Sequence, residues 1–74
     1  MIPEVTVSYE SVKIRFGGLL HMHLQRPIYG VQSWVQERQA KFTIQYLTAG
    51  GEVTSEYDSR EKWESILSQL DKVL

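Results

Sequence analysis

The pattern of apolar residues changes period once along the chain, and that change does most to limit the fold. Up to about residue 57, apolar and polar residues alternate with period two, the mark of half-buried strands. Beyond it, Trp63, Ile66, Leu67, Leu70, Val73 and Leu74 fall at i, i+3, i+4, i+7, i+10 and i+11, one continuous helical stripe.

The strand region divides at its turn residues. Val5, Val7 and Tyr9 alternate with Thr6 and Ser8, which predicts a strand over residues 4–9 ending at Glu10-Ser11. Val12, Ile14 and Phe16 alternate with Lys13 and Arg15. Gly17-Gly18 marks a tight hairpin. Leu20, Met22 and Leu24 then alternate with His21, His23 and Gln25, with the leucines and the methionine assigned to the core. Pro27 ends that strand because it has no N–H to give to a ladder. Phe42, Ile44 and Tyr46 read as the core face of a later strand, and a glycine turn at Gly50-Gly51 leads to Val53, Ser55 and Tyr57.

Residues 28–38 are ambiguous. Tyr29, Val31, Ser33 and Val35 share one face, and Gly30, Gln32, Trp34 and Gln36 share the other. Either register leaves apolar surface pointing outward. Glu37 to Ala40 reads as a polar turn.

These signals predict an α+β fold: a curved antiparallel β-meander of five to six strands (about residues 4–57) covered by one C-terminal amphipathic helix (about 59–73). Asp58 is the expected N-cap, with Glu61 three residues on. Trp63, Tyr46 and Tyr57 are expected in or beside the core. The order of elements, a run of strands ending in a capping helix, resembles a truncated pleckstrin-homology-like barrel. The resemblance covers architecture alone and implies no functional residue.

At 74 residues the chain is read as a single domain, 1–74. A helix of four turns covers three or four strands, so either the sheet curls into a half-barrel around the helix or a second copy, in a dimer or higher oligomer, buries the remainder. Nine acids against eight bases give a net charge of −1, unlike the positive excess of a general nucleic-acid binder. With 42% hydrophobic residues the chain is not a disordered acidic tail. It lacks cysteine, which removes thiolate chemistry and Cys-ligated metal sites. No apolar run approaches the ~20 residues of a membrane span, and residues 1–5 do not read as a secretory signal. A cytoplasmic protein that needs no cofactor is the resulting expectation.

Charge is uneven. Residues 1–41 carry five bases and three acids, and residues 42–74 carry three bases and six acids. Lys13, Arg15, His21, His23 and Arg26 are expected on the polar side of the Gly17-Gly18 hairpin, where they would suit a phosphate or another anion. His21 and His23 form an H-x-H pair, but a zinc site needs a third ligand and no acid lies near them in sequence. No P-loop, dinucleotide fingerprint or nucleophile elbow is present. An enzyme is therefore not expected.

Two functions remain from this reading. The first is a small non-catalytic binding protein that contacts a protein partner through Trp34, Gln32, Gln36 and Tyr29. Its suggested setting is a phage or mobile-element inhibitor of a host or defence factor. Trp34 is the informative residue, since an indole between two glutamines brings a large rigid contact area and one donor. The second is an oligomer that sequesters a nucleotide or phosphorylated metabolite through Lys13, Arg15, His21, His23 and Arg26.

Overall fold

A computed structural model describes residues 2–74. Six strands precede one helix: β1 (Pro3–Val7), β2 (Ser11–Phe16), β3 (Leu19–Gln25), β4 (Ile28–Gln36), β5 (Lys41–Thr48), β6 (Gly51–Tyr57) and α1 (Arg60–Val73). A 3-10 turn, Glu37–Gln39, joins β4 to β5. Strand count, antiparallel pairing and the C-terminal helix agree with the sequence reading.

The single meander does not form. The strands make two three-stranded sheets, β1-β2-β3 and β4-β5-β6, and β3 does not pair with β4. The break falls at Arg26-Pro27, where the proline has no N–H to continue a ladder. The chain crosses between sheets here, with the Arg26 N–H on the Glu10 carbonyl and the Pro27 carbonyl taking the Ala49 N–H.

The core lies between the sheets and under the helix. Val12, Ile14 and Leu24 come from the first sheet, Phe42, Ile44, Tyr46 and Tyr57 from the second, and Ile66 and Leu70 from α1. Trp63 is half-buried against the Phe42 ring, and its indole N–H donates to the Thr43 carbonyl at 3.0 Å. The helix stripe is covered at its start and bare at its end: Val73 and Leu74 are 47% and 53% exposed.

Three local expectations change. Ser59, not Asp58, is the N-cap, and its hydroxyl accepts the Lys62 N–H. Ser59 holds the extended backbone a cap needs, with the helix starting one residue later than the Asp58–Glu61 spacing implied. The first strand stops at Val7, leaving Tyr9 exposed beyond it. Leu20 is 57% exposed rather than core. The cause is a β-bulge: Ile14 pairs with Met22 but Arg15 pairs with Leu20, so His21 is an extra residue and the alternation reverses there.

The four strand edges are treated differently. The edge of β1 is covered by α1, where Gln69 hydrogen-bonds to the backbone of Pro3 and Val5. The β3 and β6 edges meet at one corner, with His21 against Tyr57 at one end and Gln25 against Gly50 at the other. The free edge of β4 has no strand beside it.

Candidate functional site

The register of β4 on β5 settles which face is buried. Val31, Ser33 and Val35 stand opposite Tyr46, Ile44 and Phe42, three core residues, so the valine face points inward. Two β-branched side chains fit that pleated surface well. Gln32, Trp34 and Gln36 therefore point outward, opposite Gln45, Thr43 and Lys41. Trp34 is 42% exposed. Thr43 lies between Trp34 and Glu56 in the cross-strand row and is buried despite facing out. Tyr29 occupies a second bulge, between Ile28 and Gly30, and is 72% exposed. The structure thus places Gln32, Trp34 and Gln36 in one outward row, with Tyr29 at the end of the same strand.

This row can present an aromatic plane and two amides to a partner, with few charges to desolvate. Such a combination favours recognition by contact area and hydrogen bonding. On the other side of β4, a groove of about 510 Å³ runs between Val31 and Ser33 and the helix residues Leu67, Leu70 and Leu74. Its charged lining residue is Asp71. A free strand edge, an outward Trp and an inward apolar groove thus meet on nine residues.

The basic residues are divided. Lys13 stands directly opposite His23, and both line a cleft of about 470 Å³ with Arg26. Glu10 lines the same cleft and offsets part of its charge. Arg26 is held by a 2.8 Å bond to the Ser8 carbonyl. Arg15 is engaged with the Thr6 hydroxyl at 3.2 Å. His21 leaves this group altogether. The bulge turns it to the β3–β6 corner, where Nε2 lies 2.8 Å from the Tyr57 hydroxyl and its ring packs edge-on to Phe16.

That corner opens into a cleft of about 500 Å³ lined by Phe16, His21 and Tyr57 and rimmed by Lys41, Lys62, Glu56 and Asp58. Two ammonium groups against two carboxylates leave no net field for one sign of ligand. Behind it, burial raises the Tyr57 phenol pKa above its ordinary value. Burial, then the neighbouring Tyr57, raises that of Tyr46 further. The Tyr46 hydroxyl is fully buried without a hydrogen-bond partner, although Ser55 and Tyr57 are close by.

Sequence reasoning missed the His21 corner. The signal was the Leu19-Leu20 doublet, which breaks the strict alternation of the hairpin. Among the described residues, no three His, Asp or Glu side chains gather closely enough to hold a metal ion. Among the same residues, no helix is long and apolar enough to cross a membrane. No family model, curated protein or solved structure matches this chain.

Proposed function

We propose that this chain is a non-catalytic binding protein that recognises a protein partner through the outward face of β4, with Trp34 as the central contact and Gln32, Gln36 and Tyr29 around it. The observation that carries the reading is the side on which Trp34 lies. The register puts the indole outward, between two amides, on a strand without a charged residue. Large aromatics in such a setting supply most of the energy of many interfaces.

The test is capture of binding proteins from the native host by wild-type protein and by Trp34→Ala and Gln32→Ala/Gln36→Ala variants. Far-ultraviolet spectra and melting curves serve as controls for folding. The expected result is one protein, identified by mass spectrometry, lost at least tenfold on Trp34→Ala with the fold unchanged. Equal capture by Trp34→Ala would refute the reading.

A second reading has narrower support. Lys13, His23 and Arg26 converge on one cleft and would suit a small phosphorylated ligand. Arg15 is engaged elsewhere and His21 belongs to a different corner, so three of the five expected groups would carry it. Titration with a panel of nucleotides, compared with Lys13→Ala/Arg26→Ala, separates it from the first.

A further inference from the structure

We propose that β4 pairs with β4 of a second copy of this chain, antiparallel about a two-fold axis at Ser33, joining the two second sheets into one six-stranded sheet. This goes beyond the partner-binding reading and uses a different surface, the edge of β4 rather than its outward face.

Unpaired strand edges are templates for further pairing, and proteins blunt them with charges, prolines, bulges or a covering element. The other three edges each take side-chain contacts from elsewhere in the fold. Gln69 bonds to β1, while β3 and β6 meet at the His21–Tyr57 corner. The β4 edge carries none of these devices over Gly30–Gln36: no charge, no proline, and a bulge only at its start, at Tyr29.

The occupant follows from what the strand offers. In a two-fold pairing a charge at or beside the axis stands opposite its own copy, which is destabilising. β4 has none. An axis at Ser33 keeps Gly30–Gln36 paired and clear of the Tyr29 bulge. It sets Val31 beside the second copy's Val35 on the inward side and Gln32 beside its Trp34 on the outward side.

Area shows why the groove belongs to the same contact. The seven paired residues Gly30–Gln36 span ~23 Å, so a strand edge ~10 Å deep offers roughly 230 Å² per partner. A stable contact needs about 800 Å² per partner. The edge alone is too small. The half-buried Leu67 and the exposed Leu74 lie beside the inward face of β4. The inward valines of an added β4 would stand over that groove and bury it.

The test is sedimentation of wild type, Ser33→Lys and Ser33→Glu across a dilution series. Ser33 is exposed, so either charge is tolerated in the monomer, but each faces its like across the axis. The expected result is a wild-type dimer, a monomer for each variant alone, and a one-to-one heterodimer when the two are mixed. If either variant fails to fold, hydrogen exchange on wild type replaces it: protection of β4 amides must fall as the protein is diluted. A monomeric wild type, a larger assembly, or a dimer indifferent to both charges overturns the proposal. Partner capture by the Ser33→Lys monomer is scored separately, so loss of the dimer and loss of the Trp34 reading are told apart.

Discussion

The side chain of Gln69 binds the backbone of β1 with both ends of its amide. Its Oε1 accepts the Val5 N–H at 2.9 Å, and its Nε2 donates to the Pro3 carbonyl at 2.7 Å. A carboxamide has the donor and acceptor of a peptide group, so one helical residue stands in for a neighbouring strand. Replacing it with leucine keeps the bulk and removes both bonds. Gln69→Leu is expected to lower stability by about 1 kcal/mol, limited because water can reach part of this site. Exchange of the Val5 amide should speed up more than that of the core strands. An unchanged Val5 amide would show that β1 is held by packing alone.

Tyr46→Phe is expected to stabilise the fold, a rare direction for a core substitution. The ring is fully buried and its hydroxyl has no partner. Deleting a buried orphan removes a desolvation penalty of ~1–3 kcal/mol while leaving the ring's packing in place. A gain of up to about 1 kcal/mol is expected by denaturant titration. Tyr57→Phe is the contrast, since that hydroxyl bonds to His21, and its loss should cost about 1 kcal/mol. A loss for Tyr46→Phe as large as for Tyr57→Phe would mean that Tyr46 has a partner in solution.

The same two phenols set an alkaline limit. Burial, joined at Tyr46 by the nearby Tyr57, raises both above their ordinary value of 10.0. The folded state therefore holds these protons more tightly than the unfolded chain. The contribution is complete below pH 10 and is lost as pH rises above it. Lysines also titrate near there, so the comparison is internal: between about pH 9 and about pH 11, wild type should lose more stability than Tyr46→Phe. Parallel curves would exclude Tyr46 as a source of the loss.

The sequence was legible where one periodicity had one meaning. Val12 and Ile14 on β2, Phe42, Ile44 and Tyr46 on β5, and Ile66 and Leu70 on α1 are all buried as their spacing requires. Alternation gives the sides of a strand but not its partners, so the division into two sheets was hidden. It also cannot count an extra residue. One bulge exchanged the surroundings of Leu20 and His21 and moved a histidine from a basic surface to an aromatic corner. For β4, both faces carry apolar residues, and only the cross-strand register against Ile44 and Tyr46 decides between them. The Trp34 row was visible in sequence as a composition, and its direction was not.

Every strand pairs only with the strand next to it in the chain, so each sheet closes through short hairpins. The contacts that tie the ends together span far more chain, 64 residues between Val5 and Gln69. Local hairpins form quickly and long closures slowly. Both sheets can therefore assemble before the Gln69 contact forms, and until it does β1 is an unguarded edge.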